Sequence, residues 1–195
     1  MDTQATAAKP PTTRTFGAGT VAGIVAGVAM AMYAMLAAVT YQDSGFFTPL
    51  YHIASTFIEP TAMETSMQRA MSGDLYYFSA VPAVVGLAVH MMVAVLFGLI
   101  FASIVRTLRV HGAPAPVVGV IYGFAVFAVM SVVVLPTVAD VFGGGKPISD
   151  MPQMVGYGTF AVEHGLFGLV LGLWPLTRPQ DVASRAVRFG RESMA

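Results

Sequence analysis

The sequence predicts an all-α integral membrane protein. It predicts four transmembrane helices, arranged as two tandem helical hairpins, with short amphipathic interfacial helices in the first outer loop. Three observations lead there. No Lys, Arg, Asp or Glu occurs between Arg14 and Asp43, between Asp74 and Arg106, or between Arg109 and Asp140, and Asp150 to Arg178 is broken only by Glu163. A spanning helix needs about 20 consecutive, mostly apolar residues, and each stretch supplies them. The chain is 56% hydrophobic and 10% charged, against about 25% charged for a water-soluble domain. Four spans and their connections use nearly all of the 195 residues, so the chain reads as one membrane domain over 1–195.

Span one is predicted over 16–40. Lys9 and Arg14 precede its apolar run as they would in a signal peptide, and Ala37-Ala38 resembles a cleavage site. The run exceeds the roughly 7–15 residues of a signal h-region, so it reads as a retained span. Spans two, three and four are predicted over 79–105, 117–136 and 155–176.

Basic residues orient the chain. Lys9 and Arg14 precede span one, Arg106 and Arg109 follow span two, and Arg178, Arg185, Arg188 and Arg191 follow span four. Only Arg69 and Lys146 fall on the other side. By the positive-inside rule both termini are expected to be cytoplasmic; the layout resembles small bacterial four-helix membrane proteins, which implies a bacterial inner membrane. Asp43, Glu59, Glu64, Asp74, Asp140 and Asp150 then face outward. The tail over 177–195 suits an anionic membrane surface or a partner subunit.

The outer segment over 41–78 carries its own helices. Thr48-Pro49 starts one, with Pro at its first position. Leu50, Ile53, Ala54, Phe57 and Ile58 recur on one face, and Pro60 ends it. Thr61 and Glu64 have the spacing of a capping box for a second helix, and Gly73 closes it. Aromatic residues such as Phe46, Phe47, Tyr51, Tyr76 and Tyr77 favour the interface. In the second outer loop, Gly143-Gly144-Gly145-Lys146 lacks the phosphate-loop pattern and reads as a flexible turn.

The halves look duplicated. Gly19, Gly23 and Met30 match Gly119, Gly123 and Met130 in spacing, and His90 before Gly98-Leu99 matches His164 before Gly172-Leu173. Such a parallel repeat packs around an axis along the membrane normal, with sites at the repeat interface. The glycine ladders let helix backbones approach closely.

The chemistry-bearing residues are few. The absence of cysteine excludes disulfides, thiolate metal sites and cysteine nucleophiles. An ionisable residue inside a span is a functional-site hypothesis by default. His90 and His164 lie on different spans at similar depth, so both imidazoles can approach one metal. Haem b held by two histidines of a helix bundle is the leading cofactor reading. Each histidine serves equally as a hydrogen-bond donor to a neighbouring helix, with no cofactor at all. Glu163 needs a partner, a wet cavity or a metal.

Eleven methionines map to the outer half or outer loops. Thioether and imidazole both suit copper. Met63, Met67 and Met71, spaced by four, resemble the spaced methionines of copper-uptake proteins. The resemblance covers that segment alone and implies copper ligation by those three residues. Methionine is equally a filler of irregular apolar space.

No zinc-protease motif or serine-nucleophile elbow is present, and no enzyme activity can be read from the residues. The scattered basic residues do not form a nucleic-acid patch. The expected role is an accessory or structural subunit of a larger membrane complex, of the electron-transfer or energy-transducing kind, with lipid and other subunits as partners. The alternative is a small transporter or copper-handling protein using the outer methionines, the histidines and Glu163.

Overall fold

A computed structural model describes residues 11–58, 60–110 and 112–174, with side chains from residue 16 onward. The expectations for Lys9, the Arg14 side chain, Glu59, the end of span four and the basic tail lie outside the described residues. Among those residues every regular element is helical. Three helical stretches, Phe16–Thr40, Ala80–Thr107 and Ala115–Phe142, are long and apolar enough to cross a membrane. At 25, 28 and 28 residues they run about 37–42 Å at 1.5 Å per residue, beyond the ~30 Å of a hydrocarbon core.

The first crossing stretch belongs to α1 (Pro11–Thr40). Two short helices follow, α2 (Thr48–Ala54) and α3 (Thr61–Met71), and then the long α4 (Ala80–Thr107). The third stretch is α5 (Ala115–Val129), a π-helical turn (Met130–Val134) and α6 (Leu135–Phe142). Two short helices, α7 (Gly145–Ser149) and α8 (Met151–Val155), lead to α9 (Tyr157–Leu173).

Pro136 was expected to end the third span, but the helix continues to Phe142. Proline removes one helical hydrogen bond and crowds the carbonyl four residues earlier. The wider turn just before it absorbs that mismatch, as π-bulges do. Within the described residues the fourth predicted span starts at Tyr157 rather than at 155. Gly156, at φ +88, separates α8 from α9. The 17 residues of α9 reach only about 26 Å.

Glycine decides which helices touch. A Cβ added at Gly98 on α4 would lie 2.7 Å from both the Gly19 carbonyl oxygen and the Gly23 Cα of α1. Added at Gly168 on α9, it would overlap the Gly119 carbonyl of α5 and stand 2.8 Å from the Gly123 nitrogen. Backbones therefore meet directly in two pairs, α1 with α4 and α5 with α9. The pairs join through α1 and α9. By contrast α4 and α5 barely meet. The long helices thus follow the order α4, α1, α9, α5, with a seam between the two ends.

The repeat-like spacing is partly misleading. It aligns Gly98 with Gly172, yet the residue that meets Gly119 and Gly123 as Gly98 meets Gly19 and Gly23 is Gly168, one turn earlier. By the same packing, Ala94 opposite Gly23 corresponds to His164 opposite Gly123. His90 and His164 are therefore one turn apart in the packing scheme rather than equivalent.

The cap differs from two surface-lying amphipathic helices. In α2, Thr48, Leu50, Tyr51, His52 and Ala54 are all buried. Gly86 of α4 makes the burial feasible, because a Cβ at that position would collide with the Leu50 backbone. The Tyr51 hydroxyl accepts from the Ser79 N–H at 2.7 Å and donates to the Tyr77 carbonyl at 3.1 Å, which ties α2 to the start of α4. Thr61 does not form the expected capping box. Pro60 is the N-cap residue of α3 and no side chain caps it. Gly73 closes α3 in a left-handed conformation as expected. The predicted flexible turn at Gly143–Lys146 is partly ordered, since Gly143 terminates α6 and α7 starts at Gly145.

Candidate functional site

A cavity of about 430 Å³ lies at the capped end of the bundle. Met30, Ala31 and Ala34 of α1 form one wall, and Val89, Val93 and Phe97 of α4 another. The third comes from Val126, Met130 and Val134 of the bulged helix, and the fourth from Phe160, Glu163 and His164 of α9. The roof is Leu50, His52 and Ile53 of α2 with Met151 and Val155 of α8. Below it, Ala22, Ala26, Phe101, Phe167 and Leu171 pack into a buried core with Tyr122 against them, which forms a floor.

The space has local causes. Alanines at 31 and 34 project little side chain into it. The π-helical turn widens the opposite wall at Met130 and Val134. In that turn the Ser131 hydroxyl is buried without a partner.

His90, Glu163, His164 and the unpredicted His52 all border this cavity. His164 is 3% exposed and its Nδ1–H donates to the Phe160 carbonyl at 2.7 Å. A carbonyl only accepts, so the proton sits on Nδ1 and the Nε2 lone pair is left for another partner. The Phe160 and Phe127 rings contact the imidazole edge-on, at centroid distances of 4.4 and 6.0 Å. His90 uses its Nε2–H instead, donating to the Gly27 carbonyl of α1 at 3.0 Å. Glycine at 27 leaves that carbonyl accessible to an imidazole from the neighbouring helix.

Glu163 is 5% exposed and its Oε1 has no hydrogen-bond partner among the described residues. Isolating a carboxyl group from water without a partner costs several kcal/mol, so buried polar groups are nearly always paired. A carboxyl residue with an unpartnered buried oxygen, bordering a cavity, makes that cavity the candidate site. Sequence reasoning found Glu163 because it interrupts an apolar run, but the cavity beside it depends on four separate helices.

His52 was missed. Its Nε2–H donates to the Pro147 carbonyl at 2.6 Å, joining α2 to α7. Burial pushes its pKa below 6.5, and the hydrogen bond to Pro147 offsets part of the shift. Its signal in the sequence was weak, since it sits outside the spans beside the polar segment Ser55–Thr56.

The methionine segment is divided by packing. Met63 is 5% exposed and packs with Tyr51 and Ala83. Met67 is 40% exposed and Met71 77% exposed. The buried stripe of α3 is Met63, Ser66 and Ala70, so it rotates away from the spacing of the methionines. Met63, Met67 and Met71 do not border the cavity. Among the described residues, no group of three or more His, Asp or Glu side chains is arranged to hold a metal ion.

The arrangement suits an apolar molecule with a small hydrogen-bonding portion. The walls supply apolar surface, and His164 and Glu163 supply polar groups on one of them, the usual composition of a ligand site. Comparison of the chain with protein families, curated proteins and solved structures finds no match.

Proposed function

We propose that the protein is a four-span subunit of an energy-transducing membrane assembly, and that its cavity holds an apolar cofactor or ligand beside His164 and Glu163. The observation that carries this reading is a buried carboxyl group, Glu163, on the wall of an apolar cavity, with its Oε1 unpartnered among the described residues, on the same helix as an imidazole whose Nε2 is available. In this reading α9 belongs to the fourth span. The capped end faces outward, and Arg106 and Arg109 mark the cytoplasmic end. The lipid bilayer and neighbouring subunits are its partners.

Haem b between His90 and His164 is the cofactor that can be tested most directly. His164 fits: metal-ligating histidines donate their second ring nitrogen to a carbonyl, as His164 donates to Phe160. As placed, His90 does not fit, because its Nε2 is engaged by Gly27. Ligation by both requires His90 to release that bond or to present Nδ1. Bound haem would supply one-electron transfer, while the chain would position it and exclude water.

The test is a reduced-minus-oxidised visible spectrum of the protein purified in mild detergent, together with identification of co-purifying subunits. A b-type signal abolished by His164→Ala establishes the haem form of the proposal. A featureless spectrum with stable partner subunits retains the subunit role and removes haem. A chain that purifies alone, with neither signal nor ligand, overturns the proposal. The copper-transport alternative predicts copper bound through Met63, Met67 and Met71, which metal analysis of the same preparation measures.

A further inference from the structure

The seam between α4 and α5 gives the cavity a side opening. Met92 of α4, Phe57 beyond α2 and Phe142 of α6 border the cavity and are also exposed. The Phe57 and Phe142 rings meet edge-on at 5.0 Å above it. Lower down, the seam is closed. The Tyr122 hydroxyl donates to the Phe97 carbonyl at 2.8 Å, and its ring lies 5.1 Å from that of Phe101. If these helices span a bilayer, the opening faces lipid rather than water, and a ligand enters from the membrane.

The polar atoms constrain what enters. Among the described residues no Lys or Arg borders the cavity, so an anionic head finds no counter-charge there. Glu163 would repel such a head if ionised. Neutral oxygen-bearing heads suit the pair: the His164 Nε2 accepts from a hydroxyl, and a protonated Glu163 carboxyl donates to a carbonyl. A volume of about 430 Å³ accommodates a ring head and the start of a tail, with the rest of the tail leaving through the seam.

We propose that the cavity binds a lipid-soluble quinone or quinol, admitted between Met92 and Phe142, with a ring oxygen held by Glu163 and, in the quinol, a hydroxyl donating to the His164 Nε2. This deepens the function proposed above and rests on its energy-transducing reading for the choice of quinones among neutral ring-bearing lipids.

The test uses the full chain in lipid nanodiscs with decylubiquinone as probe and hexadecane as an apolar control. Saturable quinone binding, competed weakly or not at all by hexadecane, is expected. Glu163→Leu should weaken decylubiquinone binding about tenfold, the loss of one good hydrogen bond, and His164→Leu should weaken binding of the reduced probe, decylubiquinol, by a similar factor, because the His164 Nε2 accepts only from a hydroxyl. Glu163→Gln keeps a donor and should remain within about threefold of the wild type. Ile121→Ala, on an exposed face away from the cavity, should leave affinity unchanged. Met92→Trp should slow association, whereas Phe142→Ala should speed it.

Absence of saturable binding in correctly folded wild-type protein overturns the inference, as does unchanged decylubiquinone affinity in Glu163→Leu or unchanged decylubiquinol affinity in His164→Leu. Competition by hexadecane as strong as by quinone also overturns it, because the head would not be recognised. The two proposals fail separately. A haem signal without quinone binding removes this inference and leaves the subunit role. Quinone binding by a chain that never co-purifies with partners removes the subunit role and leaves this inference.

Discussion

His52 donates its Nε2–H to the carbonyl oxygen of Pro147 across 2.6 Å and 95 positions of sequence. The bond closes the roof of the cavity by joining helices from opposite ends of the bundle's helix order. Folding holds His52 neutral, because burial lowers its pKa from 6.5. The unfolded chain protonates His52 near 6.5. Its contribution is therefore complete above that pH and declines as pH falls from 6.5 toward the lowered folded value. Thermal unfolding in detergent between pH 8 and 5 should show this decline in the wild type. His52→Gln, which keeps a donor but does not titrate, should flatten it; an unchanged slope would remove His52 as the cause.

The Gly119–Gly168 contact predicts opposite responses to the same substitution. Gly168→Ala drives a methyl group into the Gly119 carbonyl and should cost about 1–3 kcal/mol, the usual range for overpacking. Gly158, in the same helix, has open space where a Cβ would be. Gly158→Ala should be neutral or stabilise by up to about 1 kcal/mol through helix propensity. Unfolding midpoints of the two variants test the predicted difference in sign.

Tyr51 fastens the cap through its hydroxyl. Tyr51→Phe leaves the Ser79 N–H and the Tyr77 carbonyl without their shared partner. The expected loss is about 1–3 kcal/mol, the cost of orphaning a buried polar group. Hydrogen exchange should quicken at the first turn of α4, while the contact between α5 and α9 keeps its protection.

The four-span orientation is open to a direct measurement because the chain has no native cysteine. Single cysteines at Ser44 and Gly143 should react with a membrane-impermeant thiol reagent from outside intact cells. A cysteine at Leu108 should react only after the membrane is opened. Labelling of Leu108 from outside would reverse the orientation, and labelling of Ser44 and Gly143 from opposite sides would break the hairpin scheme.

The sequence alone determined the helical membrane class and the approximate extents of the three long apolar stretches. Those properties arise from one-dimensional facts: where charge is absent and how far each apolar run extends. It also singled out His90, Glu163 and His164, because polarity inside an apolar run is visible without coordinates. Tertiary structure decided the rest. Glycine spacing suggested equivalent histidines, but close packing selects Gly168 rather than Gly172 as the counterpart of Gly98, since contact depends on where two backbones cross. The apolar residues of α2 suggested a surface helix, yet the missing side chain at Gly86 lets α2 sink onto α4. The cavity exists only when four long helices, a π-helical turn and a short roof meet. Its unpaired carboxyl, available imidazole nitrogen and lateral opening come from different stretches of chain, and only their convergence in three dimensions makes them one site.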